Sequence, residues 1–202
     1  MRRVALALTL AALIAGPASL IADDIPYSNT GTVPPTFTFT ATTNTVNLYY
    51  VPAGSTGGTD SILFYDVTSG FKSPLFFDNK STAAGTLQSF AVNPGDILVF
   101  EITNSDFPGV FLASDPSLSA DNGNHAYVTP FSGGDINQVA YPAGYFVGME
   151  DLALNISDLN YNDVAFIATD VAPAALTQTS AITPEPSTFM LLGTGILGAA
   201  GA

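Results

Sequence analysis

TLQSFAVNPGDILVFEI, residues 86–102, holds two runs typical of β-strands on either side of a strong turn signal. Residues 86–92 and 97–102 are rich in the side chains that favour strands. Between them, Asn93-Pro94-Gly95-Asp96 combines residues that favour a tight turn. The stretch therefore predicts two antiparallel strands joined by a hairpin-like connection within one sheet.

The rest of the chain repeats this pattern of short strands separated by turns. In Thr36-Phe37-Thr38-Phe39-Thr40 polar and aromatic residues alternate strictly, which places Phe37 and Phe39 on one face of a strand. Residues 52–59 read as a loop, and further strands are expected at 45–51, 61–67, 72–77, near Val110, at 126–128, near Val139, at 144–149 and at 164–168. Strands at this spacing predict an all-β fold, an antiparallel β-sandwich of the jelly-roll kind, over residues 23–171. Residues 172–183 lose the alternation and are expected to form a disordered linker.

The chain is strongly acidic, with a net charge of −13 at pH 7. All 17 acidic residues lie at or beyond Asp23, and only Lys72 and Lys80 offset them once Arg2 and Arg3 are removed, which leaves a charge of −15. This charge argues against nucleic acid and against anionic lipid headgroups as partners. It favours cations such as calcium where carboxylates cluster. The absence of cysteine excludes thiol catalysis and cysteine-bound zinc.

The N-terminus has the layout of a secretory signal peptide. Met1-Arg2-Arg3 is a short basic region, and residues 4–15 form an uncharged apolar run that is too short to span a membrane comfortably. Small residues suited to cleavage follow at Ala18 and Ala22. We therefore expect a signal helix in residues 1–22, with cleavage after Ala22 or alternatively after Ala18, and export of the mature protein.

The C-terminus carries a second targeting signal. Pro184-Glu185-Pro186 precedes an uncharged apolar run, residues 189–202, in which a helix is expected. This order of parts resembles the PEP-CTERM sorting signal of exported bacterial proteins, although no basic cluster follows the run in the sequence. The resemblance implies transient recognition by an exosortase-type membrane protease, with cleavage near the triplet. It also implies membrane insertion of residues 184–202 before processing, and delivery to the cell surface or matrix, often alongside exopolysaccharide.

One acidic segment concentrates hard oxygen donors, the ligands that calcium prefers. Six side chains within fourteen residues supply them: Glu150, Asp151, Asp158, Asn160, Asn162 and Asp163. In an extended segment Asp158, Asn160 and Asn162 would share one face. The spacing is not that of an EF-hand, because Asp163 stands where that loop needs glycine. Calcium binding is one interpretation, and a set of Asx-turns with a strand cap is the other; the two are compatible.

The same segment carries a second resemblance. Gly148-x-Glu150-Asp151-Leu152, followed by Asp158-x-Asn160-Tyr161-Asn162-Asp163-Val164-x-Phe166, resembles the closing signature of the domain of unknown function 4114 family. The upstream His125-Ala126-Tyr127-Val128 and residues 145–148 also fit. The resemblance implies a β-sandwich and a metal site, without an established catalytic activity. The insert Leu154-Asn155-Ile156-Ser157 departs from the glycine-rich acidic stretch that members carry.

The residues favour a structural or adhesive role over an enzymatic one. His125 is the only histidine, and no Gly-x-Ser-x-Gly elbow accompanies it. We predict that the protein is not an enzyme. A carbohydrate-binding module is the alternative, since eight tyrosines are available for stacking on sugars although tryptophan is absent, and a hydrolase with paired carboxylates comes third. A groove lined with tyrosine rings would favour sugar binding, and a deep pocket holding His125 would favour an enzyme.

Overall fold

The computed structural model describes residues 33–35, 37–52 and 58–175. The expected signal peptide, 1–22, and the expected sorting segment, 184–202, lie outside the described residues, as do residues 176–183 of the expected linker. Within the described ranges no helix is long and apolar enough to cross a membrane.

The described residues form β-strands and one short 3-10 helix, Pro116–Leu118. The strands are β1 (Phe37–Ala41), β2 (Thr45–Val51), β3 (Asp60–Asp66), β4 (Phe71–Lys72), β5 (Leu87–Ala91), β6 (Ile97–Asn104), β7 (Leu112–Ala113), β8 (Ala126–Phe131), β9 (Gly134–Ile136), β10 (Val139–Tyr141), β11 (Gly144–Met149), β12 (Val164–Thr169) and β13 (Val171–Ala175). The all-β prediction is therefore confirmed.

Two antiparallel sheets pack face to face. The first has the strand order β13-β1-β6-β3-β4, with β7 also paired to β6, and the second has the order β5-β2-β12-β11-β8. Strands β9 and β10 form a separate two-stranded ribbon. The chain crosses several times between the two sheets, as in β1 to β2 to β3, and the arrangement is sandwich-like.

Aromatic side chains from both sheets fill the space between them. Phe39 and Phe100 of the first sheet and Phe166 of the second are fully buried. The Phe100 ring meets each of the other two edge-on, with ring centroids 4.8 Å apart in both pairs. Phe37 packs against the same core, which confirms that Phe37 and Phe39 share the inward face of β1. Burying each such side chain stabilises the fold by about 1.5–3 kcal/mol.

The predicted hairpin in residues 86–102 is wrong. Strand β5 pairs with β2 in the second sheet, whereas β6 pairs with β1 and β3 in the first. The turn between them is real, since the Asp96 carboxylate accepts a hydrogen bond from the Asn93 N–H at 2.7 Å and Gly95 has φ 94°. However, Phe90 and Phe100 both point into the core from opposite sheets, so the turn crosses the sandwich instead of closing a hairpin.

Two further predictions need correction. The expected fourth strand, 72–77, is reduced to β4 (Phe71–Lys72) and an isolated bridge between Ile62 and Phe76. The expected linker begins too early, because β13 pairs with β1 through Ala172–Ala175. Pro173 is tolerated there because β13 is an edge strand, where one missing N–H leaves the ladder to β1 intact.

Candidate metal site at one end of the sandwich

Three buried aspartates meet where the two sheets end together. Asp60 begins β3, Asp151 follows β11, and Asp163 precedes β12. One carboxylate oxygen from each lies within 4.8 Å of the other two. Their exposed fractions are 0, 7 and 8 %. We call this end of the sandwich, marked by Asp60, Asn104, Asp151 and Asp163, the acidic end.

Hydrogen bonds hold these carboxylates across the sandwich. Asp60 lies opposite Asn104, the last residue of β6, in the first sheet, and its carboxylate accepts a hydrogen bond from the Asn79 side-chain amide. The Asn104 side-chain amide donates to Asp151 Oδ2, and this bond joins the first sheet to the β11–β12 connection of the second. Asp163 Oδ2 accepts from the Asp151 N–H at 2.9 Å. The oxygen positions are therefore fixed by both sheets and not by one loop alone.

The electrostatics of this cluster favour a cation. Burial raises the pKa of Asp163, and the negative charges of Asp151 and Glu150 raise it further. Burial also raises the pKa of Glu150, helped by the charges of Asp158 and Asp151. Because close carboxylates repel one another when ionised, a bound cation would compensate them. Calcium–oxygen bonds of 2.3–2.6 Å place ligand oxygens at most about 5 Å apart, which matches the spacing of the three aspartates.

All six sequence-predicted ligands line one cavity of about 270 Å³ beside the three aspartates. We call it the acidic cavity. Its wall holds Glu150, Asp151, Asp158, Asn160, Asn162 and Asp163 together with Asn104, Asp106 and Phe107. The structure therefore brings the six side chains to one place, but only Asp151 and Asp163 belong to the tight buried group.

The expectation of an extended segment at residues 158–162 is wrong. These residues form no strand, and Leu159 and Tyr161 have φ of 56° and 53°. Asp158 Oδ1 accepts from the Asn160 N–H at 3.2 Å, and Asn160 Oδ1 accepts from the Asn162 N–H at 3.0 Å. These are the Asx-turns of the alternative interpretation, and they curl the segment. Exposed Asp158 is thus a turn residue on the rim of the acidic cavity.

Gly148 is the first residue of the signature that resembles the domain of unknown function 4114 family, and it allows residues 150–163 to fold back against β11. A Cβ atom at Gly148 would collide with the carbonyl oxygen of Tyr161. The segment from Glu150 to Asp163 therefore packs directly on β11, which brings Asp163 next to the end of that strand. The Asp163 N–H donates to the Met149 carbonyl at 3.1 Å.

Sequence reasoning missed Asp60 and Asn104. Both lie far from residues 150–163 in the chain, and neither stands in a recognisable ligand spacing. Strand pairing brings them together, because Asp60 at the start of β3 faces Asn104 at the end of β6. A charged residue at the start of an apolar strand, directly after Gly57-Gly58-Thr59, is the signal that could have drawn attention to Asp60.

The single histidine of the sequence, His125, supports the acidic end through hydrogen bonds to Glu150 and Asp121. His125 is fully buried, with Nδ1 3.1 Å from the Glu150 carbonyl oxygen and Nε2 3.0 Å from Asp121 Oδ1. Asp121 Oδ2 accepts in turn from the Leu154 N–H at 2.9 Å. His125 is therefore a buried structural residue. Three tyrosines, Tyr50, Tyr141 and Tyr161, are also buried and cannot stack on a ligand.

Asp121 makes an acid-dependent contribution to stability. Burial acts to raise its pKa, but hydrogen bonds from Leu154, Gly123 and His125 outweigh this, and the pKa is lowered to about 2. Because the folded-state pKa lies below the unfolded value of about 3.9, the contribution is present above pH ~4 and is lost as the pH falls towards 2. We expect Asp121→Asn to lower Tm at pH 7 and to flatten the loss of Tm between pH 4 and 2. Parallel Tm–pH curves for the two proteins would contradict this.

Comparison with known proteins identifies no relative. No protein-family model matches the chain, and no curated protein or solved structure matches it. The resemblances to the PEP-CTERM signal and to the domain of unknown function 4114 family therefore remain hypotheses that rest on the residues quoted for them.

Proposed function

We propose that this chain is an exported, calcium-stabilised β-sandwich with a structural or adhesive role at the bacterial cell surface or in the extracellular matrix. One observation carries the proposal: Asp60, Asp151 and Asp163 converge from both sheets within 4.8 Å while buried. A cation at this point would connect the ends of three strands, β3, β11 and β12. Binding free energy at such a site adds to the stability of the native state.

Calcium suits this donor set better than the other common protein-bound metals. The candidate ligands are carboxylate and amide oxygens, which favour calcium or magnesium over zinc and copper. They come from separate segments of the chain, and calcium accepts irregular coordination by 6–8 oxygens, whereas magnesium requires a near-ideal octahedron. Glu150, Asn160 and Asn162 on the cavity wall could supply further oxygens.

A structural role also agrees with the surroundings of the site. The acidic cavity presents oxygen donors, and His125, the residue on which a serine-type hydrolase would depend, is buried with both ring nitrogens hydrogen-bonded. We infer that the protein is not an enzyme. Exopolysaccharide would be a neighbour in the matrix. A jelly-roll topology is part of the same proposal, supported by the alternation of β1, β2, β3, β5 and β6 between the two sheets.

Delivery to the surface is the part of the proposal that the terminal signals support. Replacing Pro184, Glu185 and Pro186 by alanine should block processing by an exosortase-type protease and leave the full-length protein in the inner membrane. Fractionation and immunoblotting of cells that encode such a protease would measure this. A matched control changes Thr177, Gln178 and Thr179 to alanine, upstream of the triplet, and should not affect delivery. Unchanged surface delivery of the triplet variant would rule the mechanism out.

A further inference from the structure

A second cavity lies next to the acidic cavity. It has a volume of about 240 Å³, and its wall is almost entirely apolar, formed by Phe107, Val110, Leu112, Leu152, Ala153 and Ile156. We call it the apolar cavity. Three of these side chains are strongly exposed for their type: Phe107 at 45 %, Val110 at 38 % and Ile156 at 61 %. Exposed apolar side chains around an apolar cavity mark a binding surface.

Strand β13 carries the chain towards this cavity. It is antiparallel to β1, which is antiparallel to β6, so β13 and β6 run in the same direction, towards Asn104 in the cavity wall. Ala175 at the end of β13 pairs with Phe37, whose N–H donates to the Ser114 carbonyl at 3.4 Å. Ser114 is two residues from Leu112 in the cavity wall. Neighbouring strands lie ~4.8 Å apart and each residue adds ~3.3 Å along a strand. Ala175, the last residue of β13, therefore lies about 15 Å from the apolar cavity.

We propose that the apolar cavity binds the C-terminal apolar segment of the same chain, residues 189–202, through the large side chains of Phe189-Met190-Leu191-Leu192. Residues 176–188 connect β13 to this segment and can reach about 40 Å when extended, more than the span requires. A tether of this length gives an effective concentration on the order of millimolar. A contact with a Kd of about 1 mM would therefore be occupied about half of the time within one molecule.

Charge favours this occupant over a second copy of the protein. Residues 189–202 contain no charged side chain, so they enter the surroundings of Asp151 without repulsion. Two whole chains, each with a net charge of −13, repel one another. The docked segment would keep its apolar side chains out of water until a membrane receives it. The inference does not depend on the metal site.

Disulfide trapping in the full chain tests this contact directly, because the sequence contains no cysteine. The test variant combines Ile156→Cys with Leu191→Cys, and the control combines Val67→Cys with Leu191→Cys. Val67 is 39 % exposed and follows β3 at the opposite end of the sandwich. Both domain positions are exposed, so both variants should fold. Mild oxidation at micromolar protein, followed by intact-mass analysis, measures intramolecular disulfide formation.

We expect the test pair to form the intramolecular disulfide at least about tenfold faster than the control pair. Adding Phe107→Ser to the test pair should remove most of this difference, because Phe107 forms part of the apolar wall. Equal rates for the two pairs would overturn the proposal, as would a rate unaffected by Phe107→Ser. Covalent dimers as the main product would also overturn it, since they would assign the cavity to a second copy.

Discussion

Phe100→Ala should lower the free energy of unfolding by about 3–5 kcal/mol, the usual range for removing a fully buried phenylalanine. The Phe100 ring lies between Phe39 and Phe166, with both centroids 4.8 Å away, so its loss leaves a hole at the junction of the two sheets. Edge-on ring contacts add to the stabilisation that comes from burying the apolar area of the ring. Native domains have a free energy of unfolding of about 5–15 kcal/mol, so the variant would lose a large part of its stability.

Urea unfolding followed by circular dichroism would measure this change. Phe71→Ala is the matched control, because Phe71 is 48 % exposed on the short strand β4. A surface truncation of this kind should change the stability by about 0.5 kcal/mol or less. If the two variants unfold at the same urea concentration, the sheets do not pack through Phe100.

Millimolar calcium should raise Tm by several degrees relative to chelator. A ligand at about 100 times its Kd stabilises the native state by roughly 2.7 kcal/mol. In a domain of this size, about 1 kcal/mol moves Tm by roughly 2–4 °C, so the expected shift is on the order of 5–10 °C. Magnesium should give a smaller shift because it requires a stricter octahedron. Differential scanning calorimetry in each ion and in chelator would measure the effect.

Asp163→Asn should abolish most of this calcium response. The asparagine oxygen can still accept from the Asp151 N–H, so the local geometry survives while one charge is lost. In chelator the variant should be at least as stable as the wild type, because repulsion among buried carboxylates is relieved. Combining Asp158→Ala with Asp163→Ala should also remove the response. Since Asp158 is an exposed turn residue, we expect Asp163 to account for most of the loss.

Asp96→Asn is the matched control for the metal site. Asp96 is also buried, at 6 % exposure, and its carboxylate also accepts a backbone hydrogen bond, but it lies at the opposite end of β6 from Asn104. This variant should lose stability equally in calcium and in chelator. If the wild type melts at the same temperature in both solutions, residues 150–163 serve only as turn caps.

The local sequence pattern predicted the positions of the strands better than it predicted which strands pair with each other. The bounds of β2 (Thr45–Val51) and β11 (Gly144–Met149) follow from their apolar residues and flanking turn residues, and the structure confirms them. The pairing of residues 86–102 was predicted wrongly, because a turn signal is the same whether the chain closes a hairpin or crosses to another sheet. That choice depends on which apolar faces meet, here those of Phe90 and Phe100.

The sequence predicted only that part of the candidate site which comes from a single segment of the chain. The six predicted ligands line one cavity because a single connection, between β11 and β12, contains them all. Asp60 and Asn104 join them through the register of β3 and β6, which no short window of sequence contains. The curl at Leu159 and Tyr161 was missed because Asx-turns compete with an extended backbone, and the two alternatives share the same residue types.

Calcium affinity of Asp60→Asn, measured by isothermal titration, tests the central claim most directly. Asp60 is separated from residues 150–163 by most of the domain, yet its carboxylate lies within 4.8 Å of those of Asp151 and Asp163. If the metal binds between the sheets, this variant should bind calcium at least about tenfold more weakly than the wild type. Asp96→Asn should bind calcium normally. Wild-type affinity in Asp60→Asn would contradict a site shared by the two sheets.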